Sequence, residues 1–148
     1  MVSILGLALS TIVPYRIYPD SQGAYLYSAV LPVQIALAKP NAPRTKRFEA
    51  LIDSGAGRCL FHADLAAAIG LDLRAGEVEM LNGIGGLETS WLHDIMLYVF
   101  GGPIKIRAGF KENFPITALL GMNGFFQHFN ITFEGAAQRC VLDRIRFN

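Results

Sequence analysis

Turn-forming residues interrupt this chain about every ten positions, and that punctuation restricts its fold more than any other feature. Fifteen glycines and seven prolines are spread over 148 residues, many in clusters such as Gly83-Ile84-Gly85-Gly86 and Gly101-Gly102-Pro103. The stretches between them are short, apolar and rich in β-branched and aromatic side chains, which is strand composition. In residues 25–37, Val33, Ile35 and Leu37 alternate with Gln34 and Ala36, a period of two. Pro32 inside that run points to a bulge or an edge position, because proline cannot donate to a ladder. Residues 39–46 carry two prolines, an asparagine and three basic side chains, and read as a solvated hairpin loop returning into a strand over 47–52. A short apolar run over 59–61 leads into an alanine-rich helix over 63–69. There Leu65 and Ile69 lie one turn apart, and Gly70 is placed to end the helix. Two strands over 78–91 flank the Gly83 tip, and a hairpin over 95–100 and 104–108 turns at Gly101. An apolar strand over 116–120 stops at Gly121, with one or two helical turns over 124–129. A last hairpin over 131–133 and 139–142 turns at Gly135. About nine strands at that spacing predict a mostly β, closed-barrel or sandwich-like lobe with one or two short helices.

One lobe is all the length allows. Thirteen basic and twelve acidic residues leave a net charge of +1, which gives no reason to expect a nucleic-acid or membrane-surface partner. Apolar residues make up 52% and charged ones 17%, a balance that excludes disorder and leaves apolar surface for a subunit interface. The first thirteen residues are apolar and uncharged. They lack the basic flank of a signal peptide and fall short of the ~20 residues of a membrane span. Residues 1–24 therefore read as an N-terminal segment, an edge or dimer strand or a poorly ordered leader, ahead of a domain over 25–148. Cys59 and Cys140 are too few for a disulfide framework and too far apart for a zinc knuckle. They read as buried thiols of a cytoplasmic protein. His62, His93 and His128 show no metal-binding spacing, and Trp91 reads as core or interface.

One carboxylate stands out. Asp53 follows an apolar strand, Leu51-Ile52, and precedes Ser54-Gly55-Ala56, small residues that let the backbone turn tightly. Alone, Asp-Ser-Gly is an ordinary turn. Its context is more informative, because the glycine-rich tip Gly83-Ile84-Gly85-Gly86 follows about thirty residues later. A second apolar strand then ends in Leu119-Leu120-Gly121, ahead of Met122-Asn123.

In that order the chain resembles the retropepsin-like aspartic proteases, which have an apolar pair before Asp-Thr/Ser-Gly-Ala, a flap with a glycine-rich tip, then apolar-apolar-Gly and a helix. The resemblance spans residues 25–143. It implies one catalytic aspartate per chain, Asp53, with an active site completed by a second copy on a two-fold axis. Ser54, Gly55 and Ala56 would support the loop, and the Ser54 hydroxyl would tie the two loops together. Gly83, Ile84, Gly85 and Gly86 would cover an extended peptide. The resemblance implies a peptide or protein substrate, a homodimer interleaved through the N-terminal segment and residues 141–147, and no metal or cofactor. Retroviral members carry a buried Asp–Arg ion pair at the positions of Gly57 and Met122. Both charges are missing here, a change that is nearly neutral for the fold but alters the surroundings of the site. A module that clamps a peptide without cutting it, or a structural subunit with a filled cleft, has the same lobe without the reaction.

Overall fold

The computed structural model describes residues 2–5 and 8–145. The strands are β1 (Val2–Leu5), β2 (Ala8–Pro14), β3 (Arg16–Pro19), β4 (Tyr25–Ser28), β5 (Val30–Leu37), β6 (Phe48–Ile52) and β7 (Leu60–His62). The helix α1 (Ala63–Ala68) follows, then β8 (Glu77–Gly83), β9 (Gly86–Val99), β10 (Gly102–Lys111), β11 (Ala118–Leu120), β12 (Phe129–Glu134) and β13 (Arg139–Ile145). Single 3-10 turns occupy Leu73–Ala75, Phe126–His128 and Gly135–Ala137. The mostly β lobe with a short helix is what the turn spacing predicts.

Six strands close a ring in the order β10-β7-β11-β6-β5-β9, with β9 bonded back to β10. Closure satisfies the edge groups that an open sheet would expose. The ring encloses a core in which Ile35, Phe61, Ile95, Leu97, Phe110 and Leu120 are fully buried. Phe61 and Phe110 pack with ring centroids 5.6 Å apart, and burying side chains of that size contributes roughly 2–3 kcal/mol each. A second sheet, β1-β2-β13-β12, lies alongside and turns Cys140 and Leu142 into the same core. Within this chain the two segments expected to interleave pair with each other, β2 against β13 from Pro14↔Arg139 to Ala8↔Ile145. Met1, Gly6, Leu7, Arg146 and Phe147 of those segments fall outside the described residues.

Two strands expected from the periodicity are divided differently. The run over 25–37 breaks at Ala29, whose carbonyl accepts the Ile52 amide at 2.9 Å. Before the break β4 pairs with β3 in a separate exposed hairpin, and after it β5 joins the barrel. Conversely, β9 is one continuous strand, where the sequence suggested one ending near Trp91 and another starting near Ile95. It changes partner from β8, over Leu92 to Gly86, to β5, over Tyr98 to Ile95, while β10 runs along its other side. Periodicity reports which residues face the core, not where a strand exchanges neighbours. Pro32 sits opposite Glu49 of β6, before β9 joins β5 at Gln34. It occupies a stretch paired on one side, where a missing N–H is tolerated.

The expected loop over 39–46 is mostly exposed. It is pinned by the buried Thr45, whose Oγ1 accepts the Ile35 amide at 3.1 Å. Arg44 stacks on Tyr98, 3.7 Å from the ring centroid. In α1 the His62 side chain caps the N-terminus and accepts the Asp64 amide, and Gly70, at φ +75°, follows the C-cap Ile69. Among the described residues no helix is long and apolar enough to cross a membrane.

Candidate active site

Asp53 stands at the end of β6, where the chain leaves the barrel. Its amide donates to the Leu120 carbonyl at 3.0 Å, extending the parallel pairing Leu119↔Leu51 and Leu120↔Ile52. Its Oδ1 accepts the Gly55 amide at 2.8 Å, and the Asp53 carbonyl accepts the Ala56 amide at 3.2 Å. The carboxyl is therefore held by its own loop, with Oδ2 left for other partners. A side chain at Gly55 would crowd it, since an added Cβ would lie 3.2 Å from Oδ1.

The segment after β11 locks onto this loop from below. Met122 donates its amide to the Ala56 carbonyl at 2.8 Å, and Asn123 donates its own to the Gly57 carbonyl at 3.0 Å. The Asn123 side chain adds Nδ2 to the Gly57 carbonyl at 2.7 Å. Gly121 sits where the two segments cross. A Cβ there would lie 2.5 Å from the Arg58 carbonyl oxygen and 2.6 Å from that of Ala56. Only glycine permits so close an approach.

Above the floor stands the β8–β9 hairpin, whose tip pairs Gly83 with Gly86. Asp53, Gly55, Ala56 and Leu119 share a cavity of about 610 Å³ with Gly83 and Ile84 of that tip. Gly57, Arg58, Leu60, Glu79, Leu81 and Asn82 complete its walls. Segments far apart in sequence thus converge on Asp53. The other expected site residues lie around this cavity. Ser54 is exposed beside Asp53, Leu120 is buried in the core, and Gly85 and Gly86 stand at the exposed tip.

Sequence reasoning passed over Arg58, Glu79 and Asn123. Arg58 and Glu79 form a two-pronged ion pair across the cavity wall, Nε to Oε1 and Nη2 to Oε2, both at 3.0 Å. Asn123 bonds the carbonyl of Gly57, one of the two residues noted for a missing charge, and the other, Met122, is exposed. A neutral hydrogen bond joins the segments where the resemblance would put an ion pair.

The histidines and thiols are placed structurally. His93 Nε2 lies 2.8 Å from the Leu73 carbonyl. Burial, with Arg144 nearby, pushes the His128 pKa down. Cys59 and Cys140 are both free and fully buried, as their apolar settings predict. Burial pushes the Cys59 thiol up to about 11, so it is no nucleophile at neutral pH. Trp91, half-buried on β9, lies under the Arg74 guanidinium at 4.8 Å.

No family model matches the chain, and no curated protein matches it in sequence. Its shape does match solved structures. A retropepsin-like aspartic protease from Rickettsia conorii superposes with a TM-score of 0.58 at 13% identity, covering 99% of this chain and 97% of that one. The EIAV protease complexed with the inhibitor HBY-793 covers 64% of this chain and 81% of that one, at 20% identity and a TM-score of 0.48. The Rickettsia match establishes the fold, a single retropepsin-like lobe.

Proposed function

We propose that the chain is an aspartic endopeptidase acting as a homodimer, with Asp53 and its symmetry mate as the reacting pair. The observation that carries the reading is Asp53 itself: a carboxylate oriented by the Gly55 amide in a cavity covered by a glycine-tipped hairpin. A single lobe supplies one such aspartate, so the site needs a second copy to be complete. Two carboxylates about 3 Å apart cannot both ionise, and they share one proton as a coupled pair. The ionised member takes a proton from a water held between them while the water oxygen adds to the scissile carbonyl carbon. The protonated member gives its proton to the carbonyl oxygen. Collapse of the resulting diol breaks the C–N bond, and the amine leaves with a proton from the dyad. The hairpin acts as a flap, with Ile84 as its apolar contact, and closure over an extended peptide excludes water. Ser54 steadies the paired loops. The two buried thiols suit a protein working in the cytoplasm.

The test is a peptide-library digest by wild type and Asp53→Asn, scanned from about pH 4 to 8. An amide keeps the Oδ1 acceptor for Gly55 but can neither take a proton from water nor share one. Wild type is expected to cleave best in mild acid and to fade as the shared proton is lost at higher pH. Asp53→Asn is expected to keep the fold and lose activity by at least about a thousandfold. Equal cleavage by both proteins overturns the aspartic mechanism. Tight peptide binding with no product at any pH turns the reading to a clamp.

A further inference from the structure

The β8–β9 hairpin has its polarity reversed. Its register sets Glu79 opposite Ser90 and Leu81 opposite Glu88. Alternation then places Glu77, Glu79, Leu81, Glu88, Ser90 and Leu92 on one face, with Ser90 and Leu92 buried at its base. Glu79 and Leu81 line the cavity of Asp53, so the charged face is the one turned to the site. The other face presents Val78, Met80 and Leu87, which are 58%, 54% and 67% exposed. An antiparallel hairpin held down by apolar packing shows the opposite arrangement, apolar in and polar out.

Charge supplies what apolar packing does not. The acidic and basic side chains from residue 77 to 92 are all glutamates, and each meets a cation, two of them on β10 and one in the Asp53 loop. Glu77 pairs with Arg107 at 2.7 Å at an exposed position, where such a pair contributes little. Glu79 takes both prongs of Arg58 at 3.0 Å, a geometry that fixes orientation as well as distance. Arg58 closes the loop that begins at Asp53 and bridges to Asn123, so the pair ties the hairpin directly to the catalytic floor. Glu88 pairs with Lys111, which is only 7% exposed. Its ammonium would otherwise be a buried, uncompensated charge.

We propose that Glu79 and Glu88 are positioning residues, seating the hairpin over Asp53 through Arg58 and Lys111. The proposal rests on the reading of Asp53 as the reacting carboxylate. The Arg58–Glu79 pair, about a quarter exposed on both sides, makes the covering of the site sensitive to salt, while the buried Lys111 pair is screened less.

The test is hydrogen exchange of the backbone amides over 79–90, measured without substrate in an Asp53→Asn background that cannot digest itself. Glu79→Gln and Glu88→Gln keep shape and remove charge. The double variant is expected to exchange at least about tenfold faster across the hairpin, with the β5 amides unchanged. Raising salt from about 0.02 M to about 0.5 M is expected to accelerate exchange in the parent and to leave the double variant nearly unmoved. Exchanging the pair, Arg58→Glu with Glu79→Arg, is expected to restore protection that either change alone removes. With Asp53 intact, the double variant is expected to raise KM more than it lowers kcat. Unchanged exchange overturns the proposal, and so does equal acceleration of the core amides, which would make the pairs global stabilisers. Because exchange is read without cleavage, a chain that cuts no peptide still answers the question of seating. A failed digest bears on Asp53 alone.

Discussion

The floor and the roof of the candidate site are built on opposite principles. Beneath Asp53, two segments approach backbone to backbone, joined by the Met122 and Asn123 amides at 2.8 and 3.0 Å with Gly121 wedged between carbonyls. Above it, the β8–β9 hairpin has glycines with open space around them: nothing lies within 4 Å of a Cβ added at Gly85 or Gly86. Ile84 at its tip is fully exposed. At Gly121 the floor admits no added atom. The roof is fastened by side-chain charges that can let go. On the proposed reading, a site that holds a carboxylate still and admits an extended peptide uses both kinds of construction.

The largest expected effect comes from adding one carbon to the floor. Gly121→Ala drives a Cβ to about 2.5 Å from two carbonyl oxygens of the Asp53 loop. Neither oxygen belongs to a flexible side chain, so the backbone has to move. Urea unfolding is expected to show a loss of about 3 kcal/mol, with any cleavage lost as the carboxylate shifts. A variant as stable as wild type would mean the crossing segments are looser than their hydrogen bonds imply.

Asn123→Ala probes the same contact more gently. It removes the 2.7 Å bond from Nδ2 to the Gly57 carbonyl and leaves the backbone pairing in place. Because Asn123 is exposed, water can replace the lost donor, and the expected cost is about 1 kcal/mol or less. Thermal unfolding with and without the change gives the value. A loss as large as that of Gly121→Ala would shift the weight of the floor from backbone to side chain.

Much of this contrast was legible in the sequence. Leu51-Ile52 ahead of Asp53, and Leu119-Leu120 ahead of Gly121, mark two strands that stop at turn residues, and they pair as their apolar character suggests. The glycines of the tip announce a hairpin without revealing what it covers. What stayed hidden are the links between distant segments. Arg58 with Glu79 and Lys111 with Glu88 lie more than twenty residues apart, and no local pattern signals such a pair. One clue was available: Glu77 and Glu79, two apart on a strand, share a face, in a hairpin with no lysine or arginine. Asn123 was hidden in the same way, since its side-chain amide meets the carbonyl of Gly57, 66 residues away. The division of strands at Ala29 and the continuity of β9 depend on partner exchange, which alternation does not encode.

The smallest expected effect on stability belongs to the roof. Gly85→Ala adds the same carbon as Gly121→Ala, at a position whose φ lies outside the left-handed region and whose surroundings are empty. No atom needs to move to admit it. Replacing an exposed glycine also removes freedom from the unfolded chain, which favours the folded state slightly. The midpoint of urea unfolding is therefore expected to correspond to wild-type stability within about 0.5 kcal/mol. Activity is expected to respond separately. If the tip closes on an extended peptide or on the tip of a second copy, the added methyl occupies the space that closure needs. KM for a cleaved peptide then rises while stability holds. A substitution that left both unchanged would show that the tip does not touch what it covers. A loss of stability matching that of Gly121→Ala would erase the distinction between a fixed floor and a movable roof.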